Sequence, residues 1–112
     1  MKGKELRIGN YVQADGYYPY ADIDGIEKEM VRIGTDSFTY EAIEPIKLTE
    51  EWFLRLGFVD GQKNGLKLIR INEFYYMCYV KESRGLDIDL KYVHQLQNLY
   101  FALTGEELSI NN

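Results

Sequence analysis

The stretch from Val93 to Thr104 constrains this chain more than any other. Val93, Leu96, Tyr100 and Leu103 recur at helical spacing, and Leu99 and Phe101 widen the apolar stripe. Gly105 stands just past the last periodic residue, where glycine commonly ends helices. The spacing predicts an amphipathic helix roughly 18 Å long at ~1.5 Å per residue. Such a helix must bury one face against another layer. His94, Gln95, Gln97 and Asn98 make up its most polar face in this reading.

Upstream, the pattern changes from helical to extended. Leu6 to Val12 reads as a turn, through Gly9-Asn10, entering a strand. Asp15-Gly16 is a hairpin signal. Pro19 confines Tyr17 to Tyr20 to an edge or a loop, because proline donates nothing to a sheet ladder. Ala21 to Ile26 and Met30 to Ile33 read as strands, Gly34 to Ser37 as a turn, Phe38 to Tyr40 as a short strand, and Glu41 to Lys47 as a connector. Thr49 is the expected N-cap of a short helix with Trp52, Phe53 and Leu56 on its inner face and Gly57 at its end. Phe58-Val59 leaves that helix, and Asp60 to Gly65 is a turn-rich loop. Leu66 to Ile71, Phe74 to Val80 and Leu86 to Leu90 then read as a three-stranded meander; in the last strand Leu86, Ile88 and Leu90 alternate with Asp87 and Asp89.

These elements predict an α+β fold. An N-terminal β-meander or small partial barrel is followed by a short central helix. A three-stranded antiparallel meander comes next, then a C-terminal helix packed on the sheet. The second helix is expected to lie across the apolar face of the meander. The length of 112 residues predicts a single compact domain, 1–112.

Charge and cysteine content exclude several functions. The net charge is −5: Met1 to Leu56 carries 7 Lys/Arg against 11 Asp/Glu, and Gly57 to Asn112 carries 6 against 7. No segment is basic, which disfavours binding to duplex nucleic acid. A single cysteine excludes an intramolecular disulfide and a multi-cysteine zinc site. No signal-like apolar run and no bilayer-length segment occurs, so a cytoplasmic protein is expected. Phosphate-binding glycine loops, a G-x-S-x-G elbow and H-E-x-x-H are all missing, so neither an enzyme nor a cofactor is expected.

Few residues carry potential chemistry. Asp22 and Asp24 share one strand face, as do Asp87 and Asp89. Either pair supplies half of a site for a hard cation, as a metal-assisted hydrolase needs, although alternating acids also mark the wet face of a strand. His94 is the lone histidine and reads as a surface or boundary residue. Cys78, between Met77 and Tyr79, reads as a small buried hydrophobe.

The ten tyrosines are the stronger signal. Tyr17, Tyr18 and Tyr20 cluster on one turn. Tyr75, Met77 and Tyr79 share the strand face opposite Tyr76 and Cys78. One of these faces meets the domain's own helix, and the other is free to meet a protein partner or a second copy of the chain. Tyr17, Tyr18, Tyr20, Tyr75 and Tyr79 are therefore the expected binding residues. The same rings also suit a small β-barrel that stacks single-stranded bases, a reading the acidic balance opposes.

Three segments also carry a resemblance: Glu5 to Val12 (ELRIGNYV), Glu44 to Phe58 (EPIKLTEEWFLRLGF), and Tyr92 to Leu108 (YVHQLQNLYFALTGEEL). Together they resemble small uncharacterised proteins of Bacteroides-type gut bacteria and of their phages or integrated elements. The resemblance implies a mobile-element setting and a cytoplasmic accessory role. It supplies no catalytic residues.

Overall fold

The computed structural model describes residues 5–80 and 88–110, with Tyr18 described by its backbone alone. The element order confirms the α+β class. β1 (Tyr11–Ala14), β2 (Tyr17–Asp22), β3 (Gly25–Ile26), β4 (Met30–Ile33), β5 (Asp36–Thr39) and β6 (Ile43–Glu44) precede α1 (Glu50–Arg55). β7 (Gln62–Lys63), β8 (Leu66–Arg70) and β9 (Tyr76–Val80) follow, and α2 (Val93–Thr104) comes last. The strands form three antiparallel three-stranded sheets, in the orders β2-β1-β6, β3-β4-β5 and β7-β8-β9. No described helix is long and apolar enough to cross a membrane.

The chain gathers into two compact units. The first comprises residues 1–47 and 92–107, and the second residues 48–91 and 108–112. In the first, Leu6, Val12, Ala14, Ala21, Ile23, Val31, Ile33 and Ile43 form one core. Alternation along β1 and β4 aims these side chains inward and leaves Arg32 in solvent. Pro19 lies on β2, an edge strand, where its missing donor breaks no ladder.

Three details of the N-terminal half differ from the pattern. Ala21 to Ile26 is not one strand: β2 ends at Asp22, and Gly25 starts β3 in a different sheet. The intervening Ile23 is buried and bonded at both ends of the turn, its N–H to the Asn10 carbonyl at 3.0 Å and its carbonyl to the Gly9 N–H at 2.8 Å. The expected turn at Gly34 to Ser37 shrinks to Gly34-Thr35, because Asp36 and Ser37 already pair with β4. Finally, the supposed connector contains β6, which pairs Ile43 and Glu44 with Ala14 and Gln13.

α2 begins and ends where the periodicity places it, with Gly105 left-handed at φ 76°. It belongs to the unit of β1, so the sheet on which it packs is the N-terminal one. Its buried face is also rotated from the apolar stripe. Val93, Leu96 and Tyr100 are buried, but so are His94 and Gln97, while Phe101 and Leu103 are exposed at 37% and 43%.

The reason lies in the backbone of the Gly9-Asn10 turn. The Tyr11 N–H donates to Gln97 Oε1 at 2.9 Å, and Gln97 Nε2 donates to the Gly9 carbonyl at 3.0 Å. One side-chain amide thus serves the turn as a strand's peptide group would, and buried backbone groups require such partners. Asn98 extends the clamp: its Oδ1 accepts from Asn10 Nδ2 at 2.9 Å, and its Nδ2 donates to the Glu5 carbonyl at 2.9 Å. Arg7 pairs with Glu107 and lies over the Phe101 ring at 4.0 Å.

In the second unit, Thr49 caps α1 by accepting the Trp52 N–H at 3.3 Å, and Trp52, Phe53 and Leu56 are buried, as the pattern predicts. The turn-rich loop is two successive tight turns. Asp60-Gly61 (φ 53° and 73°) lies between bridged Val59 and Gln62, and Asn64-Gly65 (φ 47° and 84°) between paired Lys63 and Leu66. Both have the left-handed pair of residues that two-residue hairpins favour. The expected strand Leu86 to Leu90 is not found as such. Leu86 and Asp87 lie outside the described residues; among the described residues Ile88 and Asp89 have no strand partner, and Leu90 makes a single bridge to Tyr76. The third strand of the meander is instead β7.

Replacing Gln97 by Leu removes the partner of two buried backbone groups while keeping the helix. Each such group costs about 1–3 kcal/mol when left unpaired. Urea unfolding should show Gln97→Leu destabilised by about 2–4 kcal/mol. A loss of under about 0.5 kcal/mol, the level of an ordinary surface change, contradicts the clamp.

Candidate functional site

The register of β8 and β9 sorts the second meander's side chains onto two faces. Leu66 pairs with Val80, Leu68 with Cys78, and Arg70 with Tyr76. This is the inner face: Leu66, Leu68 and Cys78 are buried, and the Tyr76 ring meets Phe53 of α1 edge-on at 4.8 Å. Cys78 is thus a small hydrophobe, and burial pushes its thiol pKa up, away from nucleophilic thiolate.

The opposite face carries Lys67 against Tyr79 and Ile69 against Met77, with Ile71 and Tyr75 continuing the alternation. Ile69 and Ile71 are exposed at 37% and 41%, and Tyr75, Met77 and Tyr79 are half-buried. Five large apolar or aromatic side chains thus share one sheet face. Of the expected binding residues, this face brings together Tyr75 and Tyr79. Ile69 and Ile71 join them and are visible only through pairing, since β8 sets Ile69 opposite Met77 and the Ile71 N–H donates to the Tyr75 carbonyl at 3.2 Å.

The N-terminal tyrosines have other work. Tyr17 packs edge-on against Phe38 at 5.8 Å, and its hydroxyl donates to Asp36 Oδ2 at 2.7 Å. That hydrogen bond, followed by partial desolvation and the charges of Asp36 and Asp24, raises the phenol pKa. Tyr20 packs edge-on against Tyr11 at 5.5 Å. The side chain of Tyr18 lies outside the described residues. Tyr17 also borders an open groove of about 560 Å³ whose rim includes Gln13, Asp15 and Glu44.

Among the described residues, no three His, Cys, Asp or Glu side chains gather as a metal site would require. Asp22 and Asp24 are exposed, and Asp24 accepts the Gly34 N–H at 2.5 Å, which gives it a turn-closing role. Asp89 is exposed, and Asp87 lies outside the described residues.

His94 is not the boundary residue its position implies. It is 1% exposed and stacks on Tyr92 at 5.9 Å with the planes 9° apart. Neither ring nitrogen has a hydrogen-bond partner among the described residues. Burial lowers its pKa, and the Glu5 carboxylate opposes that shift only in part. A general base needs reach to a substrate, and a ring this enclosed has none.

Comparison with protein-family models, with curated proteins and with solved structures finds no match for this chain.

The lowered pKa fixes the sign of a pH effect. The unfolded chain binds the His94 proton more tightly than the folded one. The histidine therefore costs nothing extra above its ordinary value of 6.5 and destabilises as pH falls through it. His94→Leu should unfold in urea with a stability advantage over the parent that is constant above pH 6.5 and widens below it. A difference that stays flat with pH, or narrows on acidification, contradicts this burial.

Proposed function

We propose that this chain is a non-enzymatic accessory protein, mobile-element-derived as its resemblance implies, that acts through protein–protein contact. The observation supporting this reading is the open face of the second meander, where Tyr75, Met77 and Tyr79 stand beside Ile69 and Ile71. Exposed apolar and aromatic residues gathered in one place mark partner surfaces, and tyrosine and methionine are enriched in them. The occupant is a partner protein or a second copy of the chain. Single-stranded nucleic acid fits less well: the net charge is −5, and among the described residues of this face Lys67 is the one cation.

Photo-crosslinking from a benzoyl-phenylalanine at Met77, together with light scattering of the purified chain, tests the proposal. A defined crosslinked species is expected, either a dimer or a complex with one partner. Tyr75→Ala and Tyr79→Ala should each weaken its formation by about 1–2 kcal/mol, the range for interface aromatics. A strictly monomeric chain that yields no crosslinked species overturns the reading.

A further inference from the structure

The inner side of the second unit holds a cleft that the exposed sheet face does not use. Its volume is about 350 Å³, at the small end of ligand-binding cavities. Phe53, Phe58, Leu68 and Tyr76 contribute apolar and aromatic walls. The Phe53 ring packs on both others, lying 4.8 Å from Tyr76 and 6.1 Å from Phe58. The walls are therefore preformed.

The border of the cleft is charged with both signs. Glu50, Asp60 and Arg70 line it, and all three are exposed. Each is held by an ordered element. Glu50 opens α1 after the Thr49 cap. Asp60 occupies a left-handed turn tied to β8 through the Leu68 N–H, which donates to the Gly61 carbonyl at 2.8 Å. Arg70 sits opposite Tyr76 in the ladder, and its Nε donates to the Asn72 carbonyl at 3.3 Å. Among the described residues, none of the three charges has an ion-pair partner. Both Glu50 and Arg70 are close enough to influence the Tyr76 phenol: burial raises its pKa most, the Glu50 charge raises it further, and the Arg70 charge lowers it.

Two carboxylates and one guanidinium, without ion-pair partners among the described residues, line an aromatic pocket and complement a molecule with both charges and an apolar body. We infer that this cleft binds a small zwitterion with an apolar or aromatic side chain, an α-amino acid of the phenylalanine type. The side chain lies in the cleft against Phe53, Phe58, Leu68 and Tyr76. The ammonium group meets Glu50 and Asp60, and the carboxylate meets the Arg70 guanidinium, whose planar fork suits it. A purely cationic ligand leaves Arg70 opposed by a like charge, and a purely anionic one does the same to Glu50 and Asp60. This site is independent of the partner face, since the pleat directs Leu68 and Tyr76 away from Met77 and Tyr79.

Titration of the full chain by ¹H–¹⁵N NMR, following the Gly61 and Leu68 amides, tests the site with three probes of one shape. L-Phenylalanine carries both charges, phenethylamine the positive one, and 3-phenylpropionate the negative one. Phenylalanine should bind about tenfold more tightly than either analogue, a gain of roughly 1.4 kcal/mol. Arg70→Gln should reduce phenylalanine to the level of phenethylamine. The double variant Glu50→Gln with Asp60→Asn should reduce it to the level of phenylpropionate. These side chains are exposed, so spectra elsewhere should stay unchanged. Absence of shifts at millimolar phenylalanine overturns the site. So do equal binding of the three probes, preference for either singly charged one, or indifference to the substitutions.

Discussion

The first unit depends on one side-chain amide. Gln97 reaches from α2 to the turn before β1, takes the Tyr11 N–H and gives its own N–H to the Gly9 carbonyl. In a buried setting a polar group is stabilising only if fully paired, and costly if half paired. That condition fixes both the rotation of the helix and the place where β1 begins. The pairing of Tyr11 with Asp22 and of Gln13 with Glu44 follows from that starting point. Asn98 and Arg7 then tie the same turn to the outer side of the helix.

The second unit is organised by turn chemistry. Two consecutive left-handed pairs, Asp60-Gly61 and Asn64-Gly65, fold β7 onto β8 within a few residues. The β8–β9 ladder continues that sheet, and its register assigns every side chain of the two strands to a face. Phe53 and Tyr76 fall on the inner side, where they border a cleft. Tyr75, Met77 and Tyr79 fall on the outer side, beside Ile69 and Ile71. The separation gives one small unit two surfaces of different chemistry, one apolar and extended, the other concave and charged at its border.

Much of the secondary structure was legible. The bounds of α2, the left-handed Gly105, the Thr49 cap and the buried Trp52, Phe53 and Leu56 all follow from local rules acting over three or four residues. Legibility failed where a long-range partner outweighed local pattern. Ile43 and Glu44 read as a connector, because a two-residue strand has no periodicity of its own and exists only by pairing with β1. Ile88 fits an inward-facing position, yet it is 42% exposed. Of the expected binding residues, Tyr75 and Tyr79 reached the open face, whereas Tyr17 became a hydrogen-bonded wall of the first core.

The sequence by itself determined the fold class and the ends of both helices, because each is specified by residues close together along the chain. Within α2 it determined a helix but not its inner face. A hydropathy pattern counts Gln97 and His94 as outward-facing, for it scores each residue against water and carries no term for a backbone turn some 87 positions away. Only the tertiary structure supplies that turn. It buries the amide because the amide is paired, and it buries the imidazole beside Tyr92 although its nitrogens have no hydrogen-bond partner among the described residues. The composition of the outer face of β8 and β9 has the same origin: alternation was written in β9, but which face turns inward was decided by Phe53 packing on Tyr76.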